Sequence, residues 1–227
     1  MSKTKNESPV SVVRIKPPNM KYVMVIIEGT APLVVNRFSA RAADKMRETQ
    51  EAGSTQKGKK HREPKNFERC YEEAKHVSED GWLGVAASSF RNAAISACRT
   101  VGYAMTLAKL AIFVEADGYD KGDGTPLVRI IKGESQMWIA PTRNATGVMD
   151  LRARPMWREG WQIRLRIRYD ADMLTESDVV NLINRVGIQV GIGEGRPDSK
   201  KSAGIGLGLF KIVNPTEKGN RYPHAGG

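Results

Sequence analysis

At 227 residues with a formal charge of +11, the chain can bury a real core as one large domain and carries 36 Lys and Arg against 25 Asp and Glu. That excess points to a polyanionic partner, nucleic acid or an anionic surface, or else to a solvated basic face. No apolar run approaches the roughly 18 residues of a membrane span. The only cysteines, Cys70 and Cys98, make no disulfide framework, and the polar start MSKTKNESPVSVVRIK has no apolar signal core, so the reading is a cytoplasmic protein.

Residues 1–20 are polar and end in Pro17-Pro18, which predicts a flexible N-terminal arm. Lys21–Glu28 is a β-rich apolar run and the first strand, punctuated by Gly29 and Pro32 and resumed by Leu33–Val35. Ser39 caps a helix running to about Arg47, with Ala40, Ala43 and Met46 as its apolar face. Composition then shifts. Gln50–Asn66 holds no strongly apolar side chain, and Lys57, Lys59, Lys60, Arg62 and Lys65 are concentrated in it. Such a segment cannot bury enough to order alone; it is either a solvated linker or a basic loop that orders on a polyanion.

Phe67–Val77 is expected as a short helix, and Asp80–Gly84 as a turn into Ala86–Val101, the clearest helix. Phe90, Ala93, Ala94, Ala97 and Val101 give that helix a narrow face suited to packing on a sheet, with Arg91, Asn92 and Arg99 on its solvated surface. Leu110–Glu115 and Leu127–Ile131 read as strands around the loop DGYDKGDGTP. The acids Asp117, Asp120 and Asp123 recur every third residue, which misses the alternating ligands of a calcium loop and predicts a turn-rich connection. Ser135–Trp157 interleaves Trp138 and Trp157 with Arg143, Arg152 and Arg154. It reads as a nucleic-acid surface or as a core hairpin with a charged rim.

Trp161–Tyr169 is the most regular strand. Trp161, Ile163, Leu165, Ile167 and Tyr169 share one face, and Gln162, Arg164, Arg166 and Arg168 the other. Arginines about 7 Å apart repel unless a neighbouring strand's carboxylates or a phosphate backbone answers them. Thr175 caps a helix with Asp178 in a capping-box position and a stripe of Val179, Val180, Leu182, Ile183 and Val186, stopping at Gly187. Leu207–Val213 is the last strand. The organisation expected is an arm over 1–20, a single domain over 21–213 with insertions at about 48–80 and 115–158, and a flexible tail over 214–227.

Between the last helix and strand lies GIQVGIGEGRPDSKKSAGIGLGLF, where two glycine clusters bracket a basic loop with Arg196, Lys200 and Lys201. Glycine at this density marks close backbone approach or positive φ. Lys200 stands where a P-loop needs glycine, and no helix follows, which excludes that phosphate cradle. Arg196 replaces the third glycine of a dinucleotide pattern. His61, His76 and His224 lie at no ligand spacing with the cysteines, so neither a metal nor a cofactor is expected.

The order of elements predicts an α+β fold, a ferredoxin-like βαββαβ core with a basic insertion and a long hairpin-like excursion. Val190-Gly191-Ile192-Gly193, the basic loop, and Gly204-Ile205-Gly206-Leu207 resemble the glycine-rich loop of the RAMP superfamily, ferredoxin-like RNA-binding proteins of CRISPR systems. The helix Gly84–Val101, the Trp161 strand and this loop are also similar to a group of phage-type proteins. The likeness covers the C-terminal third, and elsewhere only element order; the chain is short for a RAMP backbone subunit. It implies a loop, Gly193, Gly195, Arg196, Lys200, Lys201 and Gly204, lying against a nucleic-acid backbone, with segments 50–66 and 135–158 as reaching insertions. It further implies copies stacked as a homo-oligomer or filament, in a prokaryotic cell or a phage-infected host.

The expected function is therefore a non-catalytic binder of single-stranded RNA or DNA. Its contacts are that loop, Arg164, Arg166 and Arg168, Arg152 and Arg154, and the basic insert at Lys57, Lys59, Lys60 and Arg62. The alternatives are a metal-independent RAMP-type endoribonuclease using His61 or His76, and a structural protein whose basic face meets an acidic partner protein.

Overall fold

The computed structural model describes residues 15–38, 40–51, 65–143, 149–199 and 204–213. In chain order the first half runs β1 (Met20–Gly29), β2 (Leu33–Val34), α1 (Ala40–Glu51), α2 (Phe67–Glu73), β3 (His76–Val77), β4 (Leu83–Ala86), α3 (Ala87–Ala97) and α4 (Met105–Ala111). The second half runs β5 (Ile112–Val114), β6 (Gly118–Tyr119), β7 (Pro126–Lys132), β8 (Ser135–Arg143), β9 (Met149–Trp157), β10 (Gln162–Asp170), α5 (Glu176–Arg185) and β11 (Phe210–Val213). The fold is α+β. A central antiparallel sheet has the order β11-β1-β10-β7-β4-β3, with β5 also pairing β10 and β6 pairing β7; β2, β9 and β8 form a second sheet.

Alternation builds the central layer. Ile163, Leu165 and Ile167 on β10, and Val23, Val25 and Ile27 on β1, turn inward to a core shared with Phe90 and Ala94 of α3 and Val179 and Ile183 of α5. Each such aliphatic side chain contributes about 1.5–3 kcal/mol on burial. The opposite face of β1 and β10 stays open: Tyr22 is 59% and Met24 51% exposed. Register places Arg168 opposite Tyr22, Arg166 opposite Met24 and Arg164 opposite Ile26. The sheet therefore has one apolar, helix-covered face and one cationic, solvent-facing one.

Several boundaries differ from the sequence reading. The expected helix over Phe67–Val77 ends at Glu73, and His76–Val77 instead pairs with β4 in a stretch expected to be only a turn. Asn66 caps α2, its side chain accepting from the Arg69 amide at 2.9 Å. The strand expected from Leu110 starts at Ile112, because Met105–Ala111 forms α4. The last helix does not stop at Gly187. Its α-helical part ends at Arg185, and a wider turn over Val186–Val190 carries the chain to Gly191. The final strand begins at Phe210 rather than Leu207. The Thr175–Asp178 capping box is present in both directions. Helix α1 continues to Glu51, and its expected cap Ser39 lies outside the described residues, as do most of the arm, the tail and the insert over 52–64.

One side chain joins three elements at the end of this sheet. Trp161 is fully buried, donates its indole N–H to the Ala31 carbonyl at 2.8 Å, and meets Phe210 edge-on with ring centroids 6.2 Å apart. Gly29 lies beneath it, where any Cβ would overlap the indole. Trp161→Ala is expected to destabilise the protein by about 3–5 kcal/mol. Trp161→Phe, which removes chiefly the hydrogen bond, should cost less. Urea denaturation of the two variants checks the ordering.

A cationic sheet face and the cleft beside the glycine loop

On the outer face of the central sheet, cations and flat rings stand side by side. Arg168 donates to Glu115 at 2.8 Å and stacks over Phe113, its guanidinium 4.6 Å from the ring centre. Arg91, expected to be solvated, covers the same ring at 5.0 Å and donates to the carbonyls of Ile112 and Lys109. Arg166 is exposed and has no ion pair among the described residues. Carboxylates therefore answer Arg168 but not Arg166, whose register partner is Met24. At the far end Gln162 donates to Glu28 at 2.7 Å and Lys211 pairs with it at 3.2 Å; these contacts hold the Glu28 carboxyl below its usual range.

The glycine loop folds back on its own backbone. The Glu194 amide donates to Val34 at 2.9 Å, that of Gly208 to Pro32 at 2.8 Å, and that of Ile192 to Gly208 at 3.0 Å. Ile205 and Leu207 both donate to the Gly195 carbonyl, at 2.9 and 3.2 Å. Gly208 has φ +69°, and a Cβ there would overlap the Ile192 carbonyl. Gly187, earlier in the stretch, has no room for a Cβ beside the Phe210 carbonyl. Close packing thus requires these glycines, and the loop's bonded amides are not available to a phosphate. Gly206 is different: its φ is +79° but nothing lies within 4 Å.

Four side-chain contacts fasten the loop. Arg196 donates to the Gly193 carbonyl at 3.0 Å. Glu194 pairs with Arg154 of β9 at 3.0 Å. Asp198 accepts from the Ser96 hydroxyl and pairs with Arg99 at 2.6 Å. The Ser96 bond, aided by Arg99 and opposed by partial burial, holds the Asp198 carboxyl below its usual range.

Between this loop and α3 lies a cavity of about 780 Å³. Its walls include Val35, Val85 and Ile192, and its polar groups include His76, Ser89, Asn92, Arg99 and Arg196. His76 is 9% exposed and its Nδ1 lies 3.0 Å from Asp120 Oδ2. Asp120 is 2% exposed; its other oxygen accepts from the Gly122 amide at 2.8 Å and pairs with Arg37 at 3.0 Å. The acidic loop is a turn whose middle carboxylate orients a histidine.

The expected contacts are thus distributed. Arg164, Arg166 and Arg168 share the sheet face; Gly193, Gly195, Arg196 and Gly204 form the loop. Arg154 ties the hairpin to the loop, and Arg152 sits two residues before it on the same strand. Lys200, Lys201, Lys57, Lys59, Lys60, Arg62, His61 and His224 lie outside the described residues. Sequence reasoning missed the His76–Asp120 pair, and it left Asn92 and Arg99 as solvated surface although both line the cavity. Among the described residues no helix is long and apolar enough to cross a membrane. No protein-family model matches the chain, and no curated protein matches it.

Two substitutions separate packing from mere backbone strain. Gly206→Ala should cost about 1–2 kcal/mol, the strain of a left-handed alanine, whereas Gly208→Ala should cost more, because a carbonyl must also move. Thermal melting of both variants checks this. Asp198→Asn should lower stability by about 1 kcal/mol at neutral pH. A depressed carboxyl contributes stability above its unfolded pKa and loses it as pH falls through the folded one. The difference in Tm between wild type and Asp198→Asn should therefore close as the pH is lowered into the acid range.

Proposed function

We propose that this chain is a non-catalytic protein that binds single-stranded nucleic acid along its backbone, built on a ferredoxin-like core of the RAMP type. The observation that carries the reading is the open face of the central sheet. There Arg164, Arg166 and Arg168 run beside Tyr22 and Met24 and end at Phe113. Phosphates need cations and unstacked bases need flat faces, and this surface supplies both. The formal charge of +11 agrees in sign. The order β11-β1-β10, with β5 on the far edge of β10 and helices α3 and α5 on one face, supports the βαββαβ core.

In this reading the loop contributes side chains rather than the amides it uses internally. Arg196 lies in its described part, and Lys200 and Lys201 follow it in sequence. The hairpin β8–β9 exposes Ile139, Met149 and Leu151, an apolar surface suited to contact between copies lined up on one strand.

Fluorescence anisotropy with a labelled single-stranded oligonucleotide tests the proposal. Log K should fall with log salt by about 0.7 per phosphate neutralised. Arg166→Ala and the double variant Lys200→Ala with Lys201→Ala should each weaken binding to every sequence and flatten that slope. Binding insensitive to salt, or unchanged in both variants, would overturn the reading. An acidic protein partner would then be the better account of the basic face.

A further inference from the structure

Two cations in the cleft between the glycine loop and α3, Arg196 and Lys109, form no salt bridge among the described residues. Arg196 spends one N–H on the Gly193 carbonyl, and Lys109 of α4 is exposed. The other charges of the lining are answered. Asp198 pairs with Arg99 at 2.6 Å, and Glu194 pairs at 3.0 Å with Arg154, which is not part of the lining. The cleft therefore presents two cations whose counter-charge the protein does not supply.

The same cleft holds a buried polar atom with no partner. His76 is nine-tenths buried and lines the wall; its Nδ1 is taken by Asp120 at 3.0 Å, and Nε2 is unbonded among the described residues. Asp120 is in turn held by Arg37 and the Gly122 amide, which fixes the ring. A hydroxyl both donates and accepts, so it satisfies Nε2 in either protonation state. Val35, Val85 and Ile192 make part of the remaining wall apolar. The wall given by α3 runs from Ala86 to Ser96, a rise of about 15 Å. The volume of about 780 Å³ falls within the range of pockets for small ligands.

We propose that this cleft is a binding site for a free nucleoside monophosphate. Arg196 and Lys109 take the phosphate, His76 Nε2 takes a sugar hydroxyl, and the apolar wall covers the base. Charge selects a free monoester over a strand: a phosphate monoester carries about −1.5 to −2 at neutral pH, which matches two cations, whereas a phosphodiester link carries a single charge. The site goes beyond the nucleic-acid reading and shares only Arg196 with it. The cleft lies on the helix-covered side of the sheet, away from Arg166.

Calorimetric titration of the full chain with each of AMP, GMP, CMP and UMP tests the site. At least one should bind saturably, and its nucleoside, which lacks the phosphate, should bind at least about 10-fold more weakly. Its 2′,3′-dideoxy form should bind about 3- to 10-fold more weakly, the worth of one hydrogen bond. In His76→Phe, with folding checked by its melting curve, that last difference should vanish. Lys109→Ala should weaken the nucleotide about 3- to 10-fold, and Arg166→Ala should leave it unchanged. The dideoxy and Lys109→Ala comparisons decide the matter if His76→Phe does not fold. The inference is overturned if none of the four binds by about 1 mM, if the nucleoside or the dideoxy form binds as well as the nucleotide, or if Lys109→Ala has no effect. Loss of binding in Arg166→Ala would put the nucleotide on the open sheet face and overturn it too. Salt-dependent binding of an oligonucleotide is measured separately, so either reading can fail while the other stands.

Discussion

Main-chain carbonyls set the limits on the C-terminal third of this protein. Those of Val34, Ile192, Arg196 and Phe210 occupy space that a Cβ on the facing glycine would need. The chain can approach itself this closely only where side chains are missing. That approach closes the loop against β2 and seats the turn after α5 on β11. It also makes the loop one wall of the cavity. The cavity wall is thus a by-product of a backbone packing requirement, and the glycines fix where Arg196 emerges.

A second constraint is electrostatic. The Asp120 carboxyl is buried, and a buried carboxyl is tolerable only when paired and hydrogen-bonded. Arg37, the Gly122 amide and His76 share that task, drawing together the segment after β2, the turn before β7 and strand β3. This ties a histidine to one ring orientation at the cavity wall. On the sheet the opposite strategy holds: the cationic face stays in water, where its arginines carry little desolvation cost. Substitutions on that face should disturb folding little, whereas those around Asp120 cannot avoid disturbing it.

Local rules account for what was readable from the sequence. Alternation in QIRLRIRY disclosed β10 and its two faces, since a strand's period of two needs no partner to be visible. Thr175 and Asp178 lie three residues apart, and their mutual capping is decided within one helical turn. What stayed hidden is long-range. His76 and Asp120 are separated by 44 residues and meet through the pairing of β3, β4, β6 and β7 and the bridge between Ser78 and Asp120. Helix α4 is short and was absorbed into the apolar run that continues as β5. The extra residues after α5 were hidden because Gly187 looks like a helix stop. It stands there because of Phe210, and the helical path continues past it. The spacing of the acidic loop argued against a calcium loop, but gave no sign that its middle member faces a histidine.

The two charged fastenings of the glycine loop have a mechanical corollary. Glu194 is held by Arg154 on the hairpin, while Asp198, four residues on, is held by Ser96 and Arg99 on α3. The segment between them works as a short rod pinned at both ends, one pin in each sheet's territory. Displacing β9 therefore bears on the helix through that rod as well as through the core, where Trp157 of β9 is buried. The width of the cleft is in this sense geared to the hairpin's angle.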